Sequence, residues 1–331
     1  MSAATLDGAR ARPADAVIAM LRHNAWTIGL LTFLALLLVF TRAIQPSYGP
    51  PGIQSLANAV LPLALAAVGQ AIVVIGGGID LSIGSIMALM SVISAALMKA
   101  YPDLSIPIVI GVLFLGLLVG AINGGLVVVT RVPDIVVTLG MSFVWAGCAL
   151  LVLKTPGGAA AGWLKDLVKG PLLIEWLPKA VVVLVVLVSV IWLPLRRSRL
   201  GLSIFAIGSN RLAAYRSGVP VGRTKIMAYA FMGLFAALAG LSLTASTGIG
   251  SPVPGQYTMQ SVAAIVLGGV SLAGGRGGVF GPIVAVIILQ LIRTDMTFLN
   301  VNSNLATVAN GATLIAVVMF GSLIQMRRER A

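Results

Sequence analysis

Between Arg42 and Lys99 the chain carries a single charged side chain, Asp80, and it lies in the stretch Gly76–Ser85, GGGIDLSIGS. This stretch sits inside a long apolar segment. A charge in hydrocarbon costs roughly 3 kcal/mol on insertion scales. Each glycine weakens a helix by up to about 1 kcal/mol relative to alanine. Both costs in one place predict a helix that breaks there. Broken backbone at membrane depth is tolerated only where protein covers it or where it lines a wet cavity. Residues 76–85 are therefore expected inside a helical bundle, with the rest of the chain arranged around them.

The composition agrees with a membrane solvent. The 331 residues are 59% hydrophobic and 9% charged, with a mean hydropathy of +1.05, whereas soluble domains are about a quarter charged. The uncharged runs are of helix length, too long for barrel strands. The net charge of +13 gathers at the ends of apolar runs, the pattern of membrane topology rather than of a nucleic-acid surface. Cys148 and His23 are each the only residue of their type. No intramolecular disulfide, metal site or resident cofactor is expected. No nucleophile–base pair is visible, so no enzymatic site is expected either.

Taken in order, residues 1–23 read as a polar cytoplasmic tail, 24–326 as the transmembrane domain and 327–331 as a second cytoplasmic tail. Helices are expected near 25–40, 55–75, 81–98, 106–129, 135–153, 180–195, 226–245, 259–272, 279–292 and 305–325, with a loop at 45–52. That is roughly eight to ten spanning segments, some of them short or broken. Residues 154–179 form a mixed-charge external loop with an interfacial turn near Trp163–Val168. Residues 196–225 hold seven basic residues and no acidic one, so this loop and both termini are placed in the cytoplasm.

Each motif has two readings. Asp80 either caps the amide groups at the start of the next helix, with Ser82 assisting, or touches a substrate or proton directly. Gly76, Gly77, Gly78 and Gly84 serve turns and close packing, and Gln70 and Gln260 are polar positions that could line a path. Asn210–Arg216 can form a short helix stopped by Gly218 and Pro220, with Ala213 and Ala214 as a flat face between Arg211 and Arg216. It is either a docking element or a topology signal that meets anionic lipid. Gly274, Gly275, Arg276, Gly277 and Gly278 are a tight turn; no strand precedes them and no phosphate-loop lysine follows. An echo links the halves: Ala71-Ile72-Val73-Val74 runs into Gly76-Gly77, and Ala264-Ile265-Val266-Leu267 into Gly268-Gly269. Interrupted segments in corresponding places point to a transport path. A chain this rich in Gly, Ala, Val and Ile also produces such an echo by composition alone.

Three blocks together resemble the ribose/xylose/arabinose-type permease subunits of ABC importers. They are Gly77–Ser85; Ala206-Ile207-Gly208-x-Asn210 with Ala213-Ala214, Ser217-Gly218-Val219, Lys225 and Tyr229; and Ala263–Gly269 with Ser271–Gly275. The resemblance implies a type II-like importer permease in the bacterial inner membrane. Its expected partners are a cytoplasmic ABC ATPase holding ATP and Mg, a periplasmic sugar-binding protein, and a second permease copy, identical or paralogous. It also implies that Asn210, Arg211, Ala213, Ala214, Arg216, Ser217 and Gly218 form the ATPase-coupling segment. Relatives carry acids in a pattern like ELDAIAA before the third block. Thr258, Met259, Gln260, Ser261 and Val262 stand here instead, which implies a different sugar or a polyol. Nucleosides, autoinducers and branched-chain amino acids are the alternative cargoes. A proton-driven carrier using Asp80 is the alternative of another class.

Overall fold

The computed structural model of the chain describes residues 25–253 and 255–301, with positions 308, 311, 312 and 319. The tails at 1–23 and 327–331, and most of the expected helix at 305–325, lie outside the described residues. Among the described residues the chain is helical, with only two isolated backbone bridges, Gly157–Gly250 and Pro171–Pro178. Eight helices among the described residues are long and apolar enough to cross a membrane. They are α1 (Ala25–Ile44), α2 (Pro50–Ile75), α3 (Ile83–Ala100), α4 (Ser105–Thr130), α5 (Asp134–Val152), α7 (Lys179–Arg197), α10 (Val221–Thr247) and α12 (Phe280–Phe298). Four are shorter: α6 (Gly162–Val168), α8 (Arg199–Ser209), α9 (Arg211–Arg216) and α11 (Tyr257–Leu267).

Burial sorts the spans into two layers. The most apolar stretch of α2 is 89% buried, that of α3 72% and that of α10 67%, against 11% for α1 and for α5. The inner helices thus pack on protein all round. The outer ones expose Phe114, Phe143, Leu151 and Val185, which suits contact with lipid chains. The tightest crossing joins α4 and α10. Gly116, Gly120 and Gly124 recur every fourth residue and share one face. A Cβ on Gly120 would meet the backbone of Tyr229 and of Gly233. Small residues let the two backbones touch, which is how helices associate where no hydrophobic effect drives them.

The ends of the bundle differ in charge. The C-terminal ends of α2, α4 and α7, all of α8 and α9, and the start of α10 lie together, as their contacts require. This end carries Arg131, Arg196, Arg197, Arg199, Arg211, Arg216, Arg223 and Lys225. At the opposite end Gly157 pairs with Gly250, and the Ala159 amide donates to the Ala95 carbonyl, which draws together the ends of α3 and α10 and the loop after α5.

Helix boundaries move from expectation in several places: α8 forms within the expected loop at 196–225, α10 begins at Val221 rather than at 226, and three further shifts follow. The expected loop at 45–52 gives way to helix at Pro50, because Pro50 and Pro51 occupy a first turn whose amides have no intrahelical partner anyway. The expected segment 259–272 stops at Leu267, since Gly268 and Gly269 cap it. The second break therefore begins at Gly268 rather than at Gly274. The segment expected to end at 292 continues to Phe298.

Candidate functional site

Helix α2 ends in a Schellman cap. Gly76 keeps near-helical angles and Gly77 turns left-handed at φ 77. The Gly77 amide donates to the Val74 carbonyl and the Gly78 amide to the Val73 carbonyl, which satisfies the last carbonyls of the helix. Gly78 has no room for a side chain: a Cβ there would lie 2.5 Å from Asp134 Oδ2 and 3.0 Å from the Tyr229 hydroxyl. The chain then runs unwound to Ser82 before α3 begins.

Asp80 is fully buried in that unwound stretch. Its Oδ1 accepts from the Ser82 amide at 2.6 Å and from the Ser82 hydroxyl at 2.6 Å, and its Oδ2 from Asn123 Nδ2 at 3.4 Å. Asn123 Nδ2 also donates to Ser82 Oγ at 2.7 Å, while Asn123 Oδ1 accepts from Trp145 Nε1 at 3.1 Å. The carboxylate thus takes up donors at the mouth of α3 and links α4 and α5 to it. At Gly84 the amide donates to Thr258 Oγ1 at 3.1 Å, so the starts of α3 and α11 are joined.

A second acid holds the break from outside. Asp134, the first residue of α5, accepts from Lys225 Nζ at 2.7 Å and from the Tyr229 hydroxyl at 2.8 Å. The same hydroxyl lies 3.4 Å from the Ile79 carbonyl. One turn along α5, Thr138 Oγ1 accepts from the Leu81 amide at 3.0 Å. Neither Asp134 nor Thr138 was singled out from sequence. One signal was readable: Asp134 is an acid directly after Pro133 at a helix start, near a basic loop in search of a counter-charge.

The two halves break in the same way. Gly76 has φ −74 and ψ 4, and Gly268 has φ −71 and ψ −1; Gly77 and Gly269 follow at φ 77 and 80. The Gly269 amide donates to Val266 and the Val270 amide to Ile265, which repeats the cap at the end of α2. Aligned on the glycines, Ala71 stands opposite Ala263, one residue away from the pairing with Ala264 read from the apolar run. The second unwound stretch, 268–279, is longer than 76–82 and contains the GGRGG turn. Gly274, Gly275 and Gly277 all have positive φ there, and the Ser271 amide donates to the Arg276 carbonyl at 3.1 Å.

Both breaks meet at α8. The Gly275 amide donates to the Ile75 carbonyl at 2.8 Å, so the turn of one half closes on the last residue of α2. Gly208 fills the gap beside that bond: a Cβ there would strike the Ile75 carbonyl oxygen and lie 2.5 Å from the Gly275 nitrogen. A Cβ on Gly274 would lie 3.0 Å from the Gly77 Cα. Three backbone segments from distant parts of the sequence therefore touch with no side chain between them.

The structure brings Gly76, Gly77, Gly78, Asp80, Ser82 and Gly84 together with Gly274 and Gly275. Gln70 lies within α2, short of the break; it is buried, and neither amide atom has a partner among the described residues. Gln260 is half-buried on α11 and makes no side-chain hydrogen bond with the cluster around Asp80.

The segment after α8 folds as a capped helix. Asn210 Oδ1 accepts from the Ala213 amide at 2.9 Å, and Gly218, at φ 83, closes a third Schellman cap through Val219 to the Ala214 carbonyl. Ala213 and Ala214 do not share a flat face. Ala213 is exposed and Ala214 buried, because successive helical residues point about 100° apart. The exposed face instead presents Arg211, Leu212, Tyr215 and Arg216, with Ser217 and Gly218 beside it. A groove of about 460 Å³ runs here between α4, α9 and α10, lined by Val128, Arg211, Leu212, Tyr215, Val221 and Gly222.

Residues 52–319 match the family described as branched-chain amino acid transport system / permease component. The chain belongs to this family, which makes it a multi-pass membrane permease of an ABC importer rather than a proton-driven carrier. It is similar to the autoinducer 2 import system permease protein LsrD of Yersinia enterocolitica, 31% identical over 275 residues, covering 81% of this chain and 82% of that protein. LsrD of Escherichia coli K12 is 28% identical over 315 residues, covering 92% and 94%. No solved structure matches the chain.

Proposed function

We propose that the chain carries a sugar-like, polyhydroxylated small molecule into the bacterial cell, as the membrane subunit of an importer whose ATP hydrolysis takes place on a separate cytoplasmic ATPase. The observation that supports this best is the junction at Gly208. One basic segment, α8–α9, sits on both breaks, at Ile75 and at Gly275, where a partner's movement reaches both halves of the path. The basic end is read as cytoplasmic by the excess of arginine and lysine. The groove beside α9 is then the ATPase-docking surface, with Leu212 and Tyr215 as apolar anchors and Arg211 and Arg216 at the rim. A periplasmic binding protein delivers the cargo, and a second permease copy completes the path. Alternating access follows as a population shift: ATP binding on the partner favours one arrangement of the coupling segment, and the breaks follow.

Two measurements test this reading. In a thermal-shift screen of the cognate binding protein, a sugar, a polyol or autoinducer 2 is expected to raise the melting temperature, since a ligand of the native state stabilises it by mass action. Shifts confined to nucleosides or branched-chain amino acids would overturn the cargo and keep the architecture. In the second, Arg216→Glu with Gly218→Pro is expected to abolish stimulation of the ATPase while membrane insertion continues. Proline cannot adopt φ 83, and it removes the amide that donates to Tyr215. Transport at the full rate in that variant would sink the docking assignment.

A further inference from the structure

We propose that Asp134 is a positioning residue that couples the docking helix to the break around Asp80, through Lys225 and Tyr229. The inference rests on the reading of the chain as the permease of an ATP-driven importer. Lys225 and Tyr229 are one turn apart on α10 and so share a face, and they donate to Oδ1 and Oδ2, respectively, of the same carboxylate. Helix α10 starts at Val221, immediately after the Gly218–Pro220 turn that ends α9. Any shift of α9 is therefore delivered to these two side chains within the first turns of a stiff helix.

On the receiving side, Asp134 is built against the unwound backbone. Its Oδ2 occupies the space that a Cβ on Gly78 would need. The Tyr229 hydroxyl reaches over it to the Ile79 carbonyl, and Thr138 on the next turn of α5 holds the Leu81 amide. The first turn of α5 thus grips residues 78–81, and α10 grips that turn. Lys225 and Asp134 are each only about 15% exposed, so water competes weakly for the pair, and truncating one partner leaves the other charge poorly compensated. The arrangement has two states by construction. With the carboxylate seated between Lys225 and Tyr229 the break is held; with α10 displaced, the Ile79 carbonyl loses its Tyr229 contact and the first turn of α5, whose Thr138 holds Ile79 and Leu81, loses its anchor.

The experiment uses the permease assembled with its ATPase in nanodiscs. A Cys148→Ser background carries Ile79→Cys as reporter, labelled by a membrane-impermeant thiol reagent without nucleotide and in the ATP–vanadate state. The labelling rate is expected to differ between the two states in this background. Asp134→Asn and Lys225→Met are expected to erase that difference while ATP hydrolysis continues, Tyr229→Phe to reduce it, and Lys225→Arg to retain it. A purely structural ion pair would change yield or melting temperature in proportion and leave the difference between states intact; that result overturns the proposal. If Asp134→Asn does not assemble, Tyr229→Phe decides, because it removes only a hydroxyl: an unchanged difference then refutes the coupling role. Loss of nucleotide dependence before any of these changes would refute the ATP-driven reading itself, and with it this proposal.

Discussion

Gly208→Val is expected to leave little or no folded protein in detergent extracts, read as loss of the monodisperse peak in size-exclusion chromatography. Even the first carbon of the new side chain would overlap the Ile75 carbonyl oxygen and crowd the Gly275 nitrogen. Both obstacles are backbone, and they are joined to each other by a 2.8 Å hydrogen bond. A flexible side chain could move aside; a capped helix end and a tight backbone turn cannot do so without breaking that bond. Overpacking of ordinary cores costs about 1–3 kcal/mol, and this site has less freedom to relax than an ordinary core. The control is Gly111→Ala, where a Cβ meets nothing within 4 Å. It should melt at or above the parent temperature, since alanine is the better helix former. A Gly208→Val protein that melts with the parent would show that the three segments do not meet as described.

Asp80→Ala should be the next most damaging change. It leaves the buried Ser82 amide without an acceptor and takes one partner each from the Ser82 hydroxyl and from Asn123. Each buried donor left bare costs about 1–3 kcal/mol. Asp80→Asn keeps an accepting oxygen in place for Ser82, so its melting temperature in detergent should stay near that of the parent. Equal losses in the two variants would mean that the charge, rather than the accepting oxygen, is what α3 requires. No loss in either would remove Asp80 from the support of the break altogether.

The position of the first break was legible because its signal is local. Three glycines and an acid in an apolar run are unfavourable in a continuous helix wherever it lies, and the structure unwinds there, between Ile75 and Ile83. The end of α9 was legible for the same reason, since Gly218 and Pro220 stop a helix without help from neighbours. The glycines of α4 were not. Gly116, Gly120 and Gly124 look like the many other glycines of the chain, and only the approach of α10 at Ile226, Tyr229 and Gly233 gives them a purpose. Gly208 stood within the second block of the resemblance, but nothing local gave it a role; its importance comes from two stretches of backbone far away in sequence.

Asp134 shows where this division falls. That the chain enters a membrane, breaks its helices near Asp80 and again among the glycines of its second half, and gathers its arginines at one end follows from composition and order alone. Each of these is decided by how a residue interacts with solvent or with its immediate neighbours. That Asp134, Lys225, Tyr229 and the carbonyl of Ile79 form one cluster, and that Ile75, Gly208 and Gly275 touch, depends on which faces of α2, α5, α8 and α10 meet. Apolar helices carry little sequence record of that choice. Their surfaces are alike in hydropathy, and close fit, rather than pattern, selects the partner.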